Sequence, residues 1–212
     1  VNSSVRRPTL TDTTLRRFYM QSMLTTPNVS DDAILFALLV ILIGLVVLVG
    51  QKAGARDVEL NTNTGYKRPM FGLEMNAGAA PQMFKSWDEA TKERLRTALL
   101  WDYLFIFIYP AAIATACFIT ARFLENKGVM PFKYGLIIIC LQLVAAILDA
   151  SENFALLRVL DEGIRNPWPQ IARWCAISKF GFILIGGIYA IIIGGGTWLI
   201  LLIRNVFISK AA

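Results

Sequence analysis

Histidine is missing from all 212 residues. Its absence removes the commonest ligand of metals, haem and chlorophyll, and the commonest general base. A subunit that ligates its own haem, chlorophyll or metal is therefore not expected. Bound lipid, or a pigment shared with a neighbour and held by Asn, Gln, Glu or a backbone carbonyl, stays open, with nothing to specify it. Cysteine is scarce: Cys117, Cys140 and Cys175, with no CxxC pair. They read as small apolar residues rather than a redox or metal site. No GxxxxGK[ST] or GxGxxG phosphate loop occurs in the polar stretch 52–86. No internal repeat relates the two halves, which weighs against a repeat-built transporter.

The same lack of catalytic partners argues against an enzyme. A nucleophile needs a base within reach. Ser151–Glu152 and Ser178–Lys179 are adjacent in sequence, so on a helix they do not face each other. Asp102 and Asp149 match in depth as a two-aspartate pair, but the glycine-rich surroundings of such a site are absent. A non-catalytic protein is expected.

What the chain does contain is apolar runs. It is 56% hydrophobic, with a mean hydropathy of +0.54, too apolar for an ordinary soluble domain. Charge is absent from Ala33–Gln51, Tyr103–Ala121, Tyr134–Leu148 and Phe180–Ile203. The sequence predicts an all-α, integral membrane four-helix bundle with spans at about 33–51, 99–121, 134–153 and 179–203. The second and fourth helices extend beyond the membrane. Residues 1–32 form a polar tail, with room for a short interfacial amphipathic helix around Leu15 and Phe18. Residues 52–86 form a large polar loop. Ser86-Trp87-Asp88-Glu89 matches an S-x-x-E capping box that starts the second helix, which carries Pro110 in mid-span.

The third span is the informative one. Its charge-free part reaches only about 22 Å at 1.5 Å per residue, short of the roughly 30 Å of a bilayer core. Asp149 and Glu152 are therefore carried inside it or to its edge. At about 100° per residue, Gln142, Ala146, Asp149 and Asn153 share one face, with Ala145 and Glu152 beside them. A carboxylate facing lipid is costly, so this face must meet protein, water or ligand.

Antiparallel order brings five charges to one level: Asp102 on span two, Asp149 and Glu152 on span three, Arg173 and Lys179 on span four. Two readings follow. In one, Asp102, Gln142, Asp149, Glu152, Asn153, Arg173 and Lys179 form a polar cluster that locks the helices in register. In the other, Asp149 or Glu152 titrates in a proton or ion path. Six glycines of the last span, Gly181, Gly186, Gly187, Gly194, Gly195 and Gly196, read as close helix contacts.

The net charge of +6 is spread over every loop, which points away from nucleic acid and towards headgroups. Four spans put both termini on one side. Loops 52–98 and 153–179 carry more Lys and Arg near the span ends than the connector 122–133 and the termini. The positive-inside rule then places the termini outside and loop 52–98 in the cytoplasm. The functional expectation is an accessory subunit of a larger membrane complex, with other membrane subunits and lipids as partners. The alternative is a small proton or ion channel or transporter built around Asp149 and Glu152.

Overall fold

A computed structural model describes residues 29–64, 87–163 and 167–211 of the chain, with side chains for 32–52, 87–163 and 167–204. The described residues are helical apart from short connections, with no strand among them. In order they form α1 (Val29–Thr64), α2 (Glu89–Asn126), α3 (Phe132–Glu162), α4 (Trp168–Gly187), a π-helical segment (Ile188–Gly195) and α5 (Gly196–Ala211). Four helical stretches are long and apolar enough to cross a membrane: Asp32–Lys52, Glu89–Asn126, Phe132–Glu162 and Trp168–Arg204. The chain divides into two units, Val1–Phe36 and Ala37–Ala212.

In the first unit the described residues are the opening turns of α1. The tail expected at 1–32 otherwise lies outside the described residues, as does loop 65–86. Within the second unit, α1 continues as helix to Thr64, well past the boundary expected at Gln51. Leu39, Leu42, Val46 and Val49 are half-buried at steps of three and four residues, so one stripe is partly covered. No residue of the most apolar α1 window is fully buried.

The buried core of the second unit comes from α2, α3, α4 and the π segment. α3 packs along both α2 and α4, and α2 also meets the π segment. Pairings of 102 with 153, 109 with 149 and 121 with 135 run in opposite directions, so α2 and α3 are antiparallel. The turn between them closes at Gly128, whose φ of 67° is left-handed. Gly128 N–H bonds the Glu125 carbonyl and Val129 N–H the Leu124 carbonyl. Together these satisfy the last carbonyls of α2 in a Schellman arrangement.

The start of α2 corrects the sequence expectation. Its cap is Asp88, whose carboxylate accepts from Thr91 N–H at 2.8 Å. The expected cap, Ser86, lies outside the described residues. α2 runs through Pro110 as one helix, with the proline itself buried.

Heptad spacing explains the packing of α3. Gly135, Gln142, Asp149 and Leu156 are buried at steps of seven, as are Ala145, Glu152 and Val159. Small residues on this seam bring backbones together. A Cβ on Gly135 would collide with the Cβ of Ala121 on α2. Two apolar clusters result. One gathers Trp87, Leu95, Leu99, Leu156 and Ala172; the other gathers Cys117, Leu124 and Tyr189 with Ile113, Ile138 and Ile193.

The π segment keeps the last helix in step with its neighbours. α4 buries Ala172, Ala176, Lys179 and Gly186 at α-helical spacing. The next buried residues are Tyr189 and Gly194, five apart. That spacing equals the i to i+5 hydrogen-bond interval of a π-helix, whose wider turn keeps both on the packed side. Gly194 lies against Thr120, which a Cβ would meet at 2.7 Å.

Candidate functional site

Between the two apolar clusters lies one polar layer. α2 supplies Asp102 and Tyr109, α3 supplies Asp149, Glu152 and Asn153, and α4 supplies Lys179. Each position follows from helix spacing. Asp102 and Tyr109 are two turns apart on one face of α2, while Asp149, Glu152 and Asn153 lie within one turn of α3.

The layer is tightly connected. Lys179 Nζ donates to Asp149 Oδ1 at 2.5 Å and lies 2.8 Å from Glu152 Oε2. Tyr109 donates its hydroxyl proton to Asp149 Oδ2 at 2.8 Å. Both Asp149 oxygens therefore accept from donors, one on α4 and one on α2. Asn153 Nδ2 donates to Asp102 Oδ2 at 2.8 Å. Asp149, Glu152, Asn153 and Lys179 are buried, whereas Asp102 is half-buried. One side chain from each helix thus meets at Asp149. In an enclosed setting a broken member leaves a charge or donor stranded, so the three helices are held in one register.

The expected cluster is assembled with two changes. Arg173 is exposed on α4 and takes no place in the layer. It sits six residues before Lys179, which at about 100° per residue turns it to another face. Gln142 is fully buried but two turns from Asp149. Its Nε2 donates to the Phe182 carbonyl at 2.9 Å and the Ile138 carbonyl at 3.5 Å, so it ties α3 to α4 at a second level. Among the described residues its Oε1 has no hydrogen-bond partner. Tyr109 is the member that sequence reasoning missed. The signal was present, since it lies seven residues after Asp102.

The six glycines divide. A Cβ on Gly186 would meet Gln142 Nε2 at 2.5 Å and Ile113 Cγ2 at 2.7 Å, and Gly194 is packed on Thr120. Gly181, Gly187, Gly195 and Gly196 have nothing within 4 Å of that position, so close packing is not what occupies their faces.

Outside the polar layer, the far ends of α2 and α3 carry exposed ion pairs: Arg96 with Asp161, Lys92 with Glu89 at 2.7 Å, and Arg158 with Glu162 at 2.8 Å. Arg158 also lies over the Phe154 and Trp168 rings. Exposed pairs of this kind contribute at most about 1 kcal/mol each. Among the described residues no group of three or more Cys, Asp or Glu side chains is arranged to hold a metal ion. No family model, curated protein or solved structure matches the chain.

Proposed function

We propose that the chain is a four-span membrane protein acting as a non-catalytic structural subunit of a larger membrane complex. The observation that carries this reading is the placement of the polar layer. It lies inside α2, α3 and α4, between two apolar clusters, with Lys179 and Tyr109 both directed at Asp149. Such a layer fixes helix register and leaves the outer faces for packing on other proteins and lipid. α1 supports it, its stretch Ala33–Gln51 being free of charge and its most apolar window adding no fully buried residue.

Purification in a gentle detergent tests the reading. Other membrane proteins should co-purify in stoichiometric amounts. A monodisperse lone protomer, as stable as the protein in its native membrane, would overturn it.

A second reading is a proton or ion channel or transporter centred on Asp149 and Glu152. It is favoured by the presence of two enclosed carboxylates beside one enclosed ammonium. Asp149→Asn in reconstituted vesicles separates the two. Flux is abolished under the second reading, while under the first the variant changes no flux.

A further inference from the structure

The apolar runs of α2 and α3 both stop at a cation on the same side of the bundle. Arg122 directly follows Tyr103–Ala121, and Lys133 directly precedes Tyr134–Leu148. A Cβ on Gly135 would collide with that of Ala121, so these two residues mark one level of the antiparallel pair. Arg122 lies one residue beyond it and Lys133 two, which at 1.5 Å per residue keeps both within about 3 Å of that level. Phe118 of α2 packs edge-on against Phe132 of α3, with ring centroids 5.4 Å apart, and ties the two helix ends together. Arg122 lies over the Phe118 ring and Lys133 over the Tyr134 ring. Lys127 stands between them on the turn, as the C-cap of α2.

Charge at this end is one-sided. From Arg122 to Lys133 the chain holds three cations and one acid, Glu125. The Glu125 carboxylate accepts from Phe132 N–H at 3.2 Å, so it serves the turn itself. The opposite end of the same helices differs. There Lys92 is paired with Glu89, Arg96 with Glu93 and Asp161, and Arg158 with Glu162. The connector also sets apolar side chains beside its cations, Val129 being 54% and Tyr134 48% exposed. Cations interleaved with exposed apolar groups at the edge of an apolar run suit a bilayer interface, where carbon turns to the acyl chains and charge to the phosphates. We infer that the α2–α3 connector is a docking surface for anionic phospholipid headgroups, with Lys127 and Lys133 as the phosphate-binding cations and Val129 and Tyr134 seated at the acyl boundary. Charge complementarity selects the lipid class, because a zwitterionic headgroup brings no net charge to a face that is net positive.

This inference rests on the membrane-spanning part of the function proposed above and not on the subunit role. The test is native mass spectrometry of the full chain in detergent micelles, titrated with phosphatidylglycerol or phosphatidylcholine. Wild type should bind phosphatidylglycerol more tightly. Lys127→Gln with Lys133→Gln should lower that preference by about fivefold for each lysine removed. Arginine at both positions should keep it, which separates charge from folding. Lys92→Gln with Arg173→Gln, at the other end of the bundle, should leave it unchanged. Equal binding of the two lipids by wild type overturns the inference and would mark the connector as a face for an acidic protein segment instead. So does a preference that survives Lys127→Gln with Lys133→Gln, or that falls as far in Lys92→Gln with Arg173→Gln. Displacement of the lipid by glycerol phosphate at equal concentration also overturns it, since that outcome describes a site for a soluble anion. Alkaline extraction of vesicles keeps the two readings apart. Release of the chain overturns the membrane reading and this inference with it, whereas a retained chain without lipid preference overturns this inference alone.

Discussion

Lys179 Nζ lies 2.5 Å from Asp149 Oδ1 and 2.8 Å from Glu152 Oε2, so one ammonium on α4 spans two carboxyls one turn apart on α3. Removing it strands acid groups in an enclosed site. Lys179→Met should therefore cost about 3–5 kcal/mol, the usual result of breaking a buried pair from one side. Adding Asp149→Asn to that variant should recover part of the loss. Chemical unfolding in detergent micelles reads both values. Equal stability of Lys179→Met and wild type would show that the pair does not hold the helices.

Tyr109 reaches the same carboxylate from α2, at Oδ2. Tyr109→Phe keeps the ring and deletes the donor, so it should cost about 1–3 kcal/mol, as expected when a buried charged acceptor loses a partner. Tyr103→Phe is the control. Its hydroxyl makes a longer bond, 3.3 Å, to the Ala150 carbonyl, and its loss should stay below about 1 kcal/mol. The order of the two melting temperatures checks this.

Glycine substitutions should sort by what a methyl group meets. Gly135→Ala runs into Ala121, and Gly186→Ala into Gln142 and Ile113. Overpacking of this kind costs about 1–3 kcal/mol. Gly181→Ala and Gly187→Ala meet nothing within 4 Å and should be neutral or gain up to about 1 kcal/mol from helix propensity. A melting series of the four variants tests the split, and a loss at Gly187 as large as at Gly186 would contradict it.

The cap of α2 gives a dependence on pH. Hydrogen bonds from Thr91 hold the Asp88 carboxyl below its ordinary range. A carboxyl lowered in the folded state stabilises the fold above its unfolded value, near 3.9. That stabilisation is lost as pH falls through the folded value. Between pH 6 and acid pH the wild-type melting temperature should fall further than that of Asp88→Ala. Parallel falls in the two proteins would remove Asp88 from the account.

Several features were legible along the chain. Four apolar runs without charge predict four helices long enough to cross a membrane, because backbone groups in lipid must satisfy one another. The polar stripe of α3 predicts that Asp149 and Glu152 turn inward, because a carboxylate against lipid is too costly. Helix ends were less legible. The α1 helix runs on to Thr64 through residues that read as loop, since polar residues with fair propensity extend a helix already nucleated.

Sequence alone determined which residues had to be hidden, since helix period and the cost of bare charge are local properties. It did not determine their partners. That Lys179 rather than Arg173 enters the layer, and that Tyr109 joins it, depended on the rotation of α2 and α4 about α3. Small residues such as Gly135 and Gly186 set that rotation by letting neighbouring helices approach. The π turn after Gly187 was invisible for the same reason: it keeps Tyr189 and Gly194 against α2 and α3, a demand that exists only once those helices are in place.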